Sequence, residues 1–124
     1  MPRSRETRVA ADNRGRHAED RAAAALEAEG WQVLARRVRT GLGEIDLIAE
    51  RASLLAFCEV KARPTLAEAA FALGHAQRRR LVAGAEAWLA QNPTHGAAGV
   101  RFDVLLVDGN GEVRRIADAF RPDE

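Results

Sequence analysis

Between Trp31 and Lys61 three β-type runs follow one another with connections too short for a crossover, and this limits the fold more than any other feature. Trp31 to about Val38 reads as the first strand, Glu44 to Ala49 as the second and Leu54 to Lys61 as the third. Thr40-Gly41-Leu42-Gly43 and Arg51-Ala52-Ser53 are turn-length links, so an antiparallel meander is expected. A helix is predicted from Asn13 to Glu29, with Asn13 as N-cap, an alanine-rich interior and Gly30 as the stop. Residues 65 to 91 read as a loop and a long helix. Leu81, Ala85, Trp88 and Leu89 recur there at helical spacing, and Asn92-Pro93 ends the run. Val100 to Asp108, a Gly109-Asn110-Gly111 turn and Glu112 to Ile116 supply two more strands. The order α-β-β-β-α-β-β implies an α/β fold: a mixed five-stranded central sheet flanked by helices.

A chain of 124 residues fits one domain, read as a basic arm over 1–12, a body over 13–120 and a tail over 121–124. No apolar run approaches the ~20 residues of a membrane span. The polar, arginine-rich stretch from Met1 to Arg16 has no apolar centre of the secretory kind. One cysteine, Cys58, cannot close an internal disulfide. These features point to the cytoplasm and away from a membrane partner. A net charge of +1 excludes a uniformly basic coat for nucleic acid. Local clusters remain: Arg36, Arg37 and Arg39, then Arg63, then Arg78, Arg79 and Arg80 are candidate phosphate contacts. Taken alone, each cluster reads more readily as a solvated face.

Lys61 is the only lysine among nineteen basic residues. A compact ammonium can approach a water or an oxyanion as a point charge, which a guanidinium cannot. Chance retention of a last lysine is the competing account. Strand alternation puts Glu44, Asp46 and Ile48 on one face, and Phe57, Glu59 and Lys61 on one face of the next strand. Glu19 precedes Ala22, Ala23 and Leu26 on the apolar stripe of the first helix, so it is expected to point inward and to reach that same sheet face. Clustered acids need a cation. Carboxylate oxygens with waters suit Mg²⁺ or Mn²⁺, which can polarise a phosphoryl oxygen and activate water. Lys61 can steady that water and the developing charge. Phosphodiester hydrolysis fits this set. Acyl transfer does not, for want of a Ser-His-Asp or Cys-His arrangement, and zinc does not, because His17, His75 and His95 lack ligand spacing. The same spacing also admits a plain cross-strand salt bridge.

Several motifs together resemble one family. Glu44-Ile45-Asp46-Leu47-Ile48 followed by Phe57-Cys58-Glu59-Val60-Lys61-Ala62-Arg63 is similar to the paired strand signature of the YraN-like bacterial proteins. Gly15-Arg16-His17-Ala18-Glu19 resembles their opening helix, and Arg101-Phe102-Asp103-Val104 with Ala119-Phe120 their ending. The resemblance implies a restriction-endonuclease-like fold of the PD-(D/E)xK superfamily, similar to archaeal Holliday-junction resolvases. It implies that Asp46 and Glu59 hold Mg²⁺, that Lys61 assists the attacking water and that Glu19 completes the site. The chain departs from the pattern at Gln77-Arg78-Arg79-Arg80, where a lysine is usual, and Gln77 is expected to face the site. The expected function is therefore metal-dependent cleavage of DNA, branched DNA included; a homodimer is one arrangement that would suit the cutting of two strands. The rival is a nucleic-acid-binding module of the same fold without turnover.

Overall fold

The first helix ends in a way its sequence dictates. Gly30 adopts φ +89°, its N–H bonds to the Glu27 carbonyl at 3.0 Å, and the Trp31 N–H reaches back to Leu26 O at 3.0 Å. This is a Schellman stop, sealed by Trp31 packing with Leu26 in the same apolar cluster. The computed structural model describes residues 5–65 and 74–122, with backbone alone for 5–14. Helix α1 (Arg5–Ala28) leads into strands β1 (Gln32–Arg39), β2 (Glu44–Arg51) and β3 (Leu54–Ala62). Helix α2 (His75–Gln91) then crosses to β4 (Gly99–Val107), and β5 (Val113–Phe120) closes the order.

The five strands lie in chain order in one sheet. Short turns make β1·β2, β2·β3 and β4·β5 antiparallel, and the helical crossover makes β3·β4 parallel from Leu54↔Gly99 to Ala62↔Val107. The β2–β3 turn is tight. Ala52 and Ser53 take φ +50° and +66°, the primed geometry that matches strand twist, without the usual glycine. The expected fold class and element order thus stand. The first helix begins at Arg5 instead of Asn13, because the residues from Arg5 to Asp12 contain neither Gly nor Pro and nothing stops a helix there. The last strand runs on to Phe120, past the expected end at Ile116. Part of the loop expected after Pro64, and the end of the tail, lie outside the described residues.

Each face of the sheet carries its own core. On one side the alanine stripe of α1 (Ala18, Ala22, Ala23, with Leu26) meets Leu47, Ala49, Ala56, Cys58, Leu105 and Val107. On the other, Leu81 and Ala85 of α2 meet Ile45, Ile48, Leu55, Phe57, Phe102 and Phe120. There Phe57, Phe102 and Phe120 stack across three strands at 6.0 and 5.2 Å, and Trp88 meets Phe57 edge-on at 5.8 Å. Small side chains let α1 sit close to the sheet.

This arrangement corrects one expectation. Helix α1 covers the face of Cys58 and Val60, opposite to that of Phe57. Strand alternation is also broken at Asp46: Ile45 joins the α2 core while Leu47 joins the α1 core. The cause lies on both sides of Asp46. Arg37, between the paired Arg36↔Leu47 and Val38↔Ile45, has φ +51°, and the start of β2 is drawn onto α2. A Cβ on Gly43 would fall 1.9 Å from the Arg80 carbonyl oxygen, and Gly84 faces Gly43 and Ile45 from the helix.

Gly43→Ala is expected to cost at least about 2–3 kcal/mol by overpacking. Gly84→Ala, whose Cβ would meet nothing closer than 3.2 Å, should cost clearly less. Urea midpoints of the two variants measure this, and equal losses would contradict the close approach.

Candidate active site at a strand fork

Strands β2 and β3 pair only as far as Leu47↔Cys58 and then separate. Past that point the Val60 N–H has no strand partner on the β2 side. The Asp46 carboxylate takes its place, accepting from Val60 N at 2.7 Å. The side chain of Asp46 is thereby fixed in the opening of the fork. Glu59 and Lys61 flank it on β3, on the face opposite Val60. Lys61 Nζ lies 3.1 Å from Glu59 Oε1, with side-chain exposures of only 12% and 17%.

Charge is scarce here relative to acid. Burial pushes the Asp46 carboxyl up to about 6, with the neighbouring Glu59 charge as the next cause; the Val60 N–H and the Lys61 ammonium oppose the rise. Glu19 is raised as well, chiefly by burial, against the pull of its partner Arg37. Arg37 Nε contacts both Glu19 oxygens, at 2.9 and 2.6 Å. The carboxylate end of this pair is 8% exposed and the arginine end 45%. Stripping the cation from a buried acid costs about 3–5 kcal/mol, whereas an exposed pair is worth under about 1 kcal/mol. The pair therefore matters mainly to Glu19.

The structure brings Asp46, Glu59 and Lys61 together, as expected. Glu19 arrives from the other face of the sheet. It lines a cleft with Asp46, Gly15, Arg37, Val38, Arg39, Glu44, Ile45 and Val60, and the Asp46 charge bears on it. Among the described residues no three His, Cys, Asp or Glu side chains form a ready metal-ligand group. The fork thus presents two acids with one ammonium, and a third acid held behind by an arginine. Two carboxylates with room for waters remain a hard-oxygen set that fits Mg²⁺ or Mn²⁺.

The arginine candidates separate into distinct places. Arg37 and Arg39 border the cleft; Arg36 beside them is ion-paired with Asp20. Arg39 is 82% exposed and 3.7 Å from Glu44. Arg63 is exposed after β3 and donates to the Ala62 carbonyl at 2.6 Å. Arg78 lies over the Phe120 ring at 5.4 Å and with Arg79 borders a different cleft near Arg121. Arg80 is exposed on α2. Gln77 is half-buried one turn before Leu81, its Oε1 without a hydrogen-bond partner among the described residues.

Other singled-out residues are structural. Asp103 is fully buried and held by Arg101 at 3.0 Å, Arg115 at 3.4 Å and the Asp118 N–H at 2.8 Å. Arg51, Arg101 and Arg115 stand over the buried Trp31 ring at 4.8, 5.0 and 5.5 Å. Burial raises the Cys58 thiol far above its ordinary range, so it packs as a small hydrophobe. Sequence reading missed the Arg37–Glu19 pair and the Val60 N–H, because neither a positive φ nor a diverging ladder is visible in residue types.

Fold and site define a mixed α/β sheet protein with an Asp-Glu-Lys cluster at a strand fork. Residues 18–107 match the model of uncharacterised protein family UPF0102, and the chain belongs to this family, in keeping with its YraN-like signature. It is 63% identical over 110 residues to a UPF0102 protein of Granulibacter bethesdensis, covering 89% of this chain and 70% of that one. It is 50% identical over 117 residues to one from Azorhizobium caulinodans, covering 94% and 89%, and 54% identical over 100 residues to one from Rhodopseudomonas palustris strain BisB5, covering 81% and 76%. No described helix is long and apolar enough to cross a membrane.

Because the folded pKa of Asp46 lies near 6 and its ordinary value is 3.8, the acid has no effect on stability where both states keep the proton, below about pH 4. As pH rises to 6 the unfolded chain releases the proton first, and stability is lost. Above that the fold bears the full cost, on the order of 2–3 kcal/mol. Without divalent cations, Asp46→Asn should therefore be more stable than the parent at pH 8 and close to it below pH 4. Urea unfolding of both at the two pH values measures this; a gap that shrinks with rising pH would contradict it.

Proposed function

We propose that this chain is a divalent-metal-dependent nuclease of the PD-(D/E)xK kind, hydrolysing phosphodiester bonds in DNA, with branched DNA as the substrate class suggested by its resolvase-like signature. The observation that carries this reading is Asp46, held in the strand fork by Val60 N–H beside Glu59 and the sole lysine. Asp46 and Glu59 would hold Mg²⁺ or Mn²⁺. Such an ion, when bound, would polarise a phosphoryl oxygen and lower the pKa of a water.

The chain's own groups do the rest. The Val60 N–H fixes the direction of the Asp46 carboxylate, so that it need not reorganise. Glu59 keeps the Lys61 ammonium in place at 3.1 Å. Lys61, shielded from solvent, can donate to a water or to a phosphate oxygen as negative charge develops, and low exposure strengthens that interaction. Arg37 and Arg39 at the cleft mouth can take the neighbouring phosphates. Two copies acting on two strands would match the symmetry of duplex DNA.

A second reading is a DNA-binding module without turnover, favoured by the engagement of Glu19 with Arg37. The two separate in one experiment. The parent and Lys61→Ala are incubated with branched, single-stranded and duplex DNA in Mg²⁺ or Mn²⁺. The parent is expected to cut, and the variant to cut about 10²–10³-fold more slowly while binding DNA within a few-fold of the parent. Binding by both without metal-dependent cutting would favour the module, and no binding at modest salt would remove both. Arg39→Gln should lower the slope of log affinity against log salt by about 1.

A further inference from the structure

Glu19 and Asp46 line one cleft, yet the cation nearest Glu19 belongs to the chain itself. Arg37 comes from an edge strand, with φ +51° and nearly half of its side chain exposed. Glu19 is buried. The two ends of this pair are therefore unequal: the guanidinium is already half in solvent, but the carboxylate cannot be left buried and alone. Whatever draws Arg37 away must be matched by another cation at Glu19.

Building on the nuclease reading, we propose that Arg37 is a resident counter-ion which a DNA phosphodiester draws out of the cleft, and that its departure hands Glu19 to a divalent cation shared with Asp46. Phosphate oxygens are suited to the task, because the planar fork of arginine binds them as it binds a carboxylate. Arg39, loosely held by Glu44 at 3.7 Å, provides a first attraction at the same mouth. Gly15 lines the helix side of the cleft, and a Cβ there would meet nothing within 4 Å among the described residues. The acid set would then be complete only with DNA in place. Linkage makes the effect mutual: DNA tightens the cation by the factor with which the cation tightens DNA.

Calorimetric titration of Mn²⁺ into the full chain tests this without reference to cutting. In the absence of DNA, Glu19→Gln should bind Mn²⁺ no tighter than the parent, because Glu19 is not yet engaged and Arg37 keeps its charge in the cleft. Arg37→Gln should bind it roughly tenfold tighter, and the double variant should return to the parent's affinity. Arg37→Gln leaves a buried acid unpaired and can fail to fold, so a second measurement uses proteins that keep the arginine. A short DNA duplex should tighten Mn²⁺ binding roughly tenfold in the parent and far less in Glu19→Gln. If the parent binds Mn²⁺ but neither Arg37→Gln nor duplex alters the affinity, the exchange is overturned and the nuclease reading stands. An equal gain with duplex in parent and Glu19→Gln also overturns it, since phosphate alone would account for the gain. No Mn²⁺ binding by any of the proteins, with or without duplex, overturns both.

Discussion

The hydrogen bond from Val60 N–H to the Asp46 carboxylate is the contact on which the rest of the molecule turns. A backbone donor inside a sheet must be satisfied, and the ladder that would satisfy this one stops at Leu47↔Cys58. By filling in for the missing strand, Asp46 allows β2 and β3 to part without an orphaned donor. The same bond aims the carboxylate into the gap and places it beside Glu59. Local backbone chemistry and the candidate site are one arrangement.

That arrangement works against stability. Asp46 and Glu59 share the charge of one lysine, and Glu19 depends on an arginine from an edge strand. Elsewhere the chain solves the same problem more generously. Asp103, more deeply buried, has two arginines and a backbone donor. The contrast separates an acid kept for architecture from acids left short of partners. A site held in this way is stable only because two independent cores, one under each helix, supply the surplus.

Much of the fold was legible in the sequence. Short turns fixed the antiparallel meander, and one helical crossover fixed the parallel pair. Convergence of Asp46, Glu59 and Lys61 was expected from strand spacing, and the structure reaches it at a break in that spacing. Three features were not legible. The start of α1 was misplaced because Asn13 resembles an N-cap, although the residues before it suit a helix equally well. Period-two alternation defines two faces but not which helix covers which; the deciding fact is size, Ala18, Ala22 and Ala23 against Ala49, Ala56 and Cys58. The break at Asp46 depends on Arg37 taking a positive φ, a conformation its residue type disfavours and only the assembled hairpin imposes.

Strand β1 has a further consequence as the rim of the sheet. It carries an irregular register between Val33 and Ala35, a left-handed arginine and a row of guanidinium groups. An open rim of unpaired amides invites another chain to extend the sheet, and bulges and fixed positive charge are what frustrate such growth. Growth of the sheet through that border is thereby disfavoured, so the arginines there serve solubility as well as any contact with phosphate.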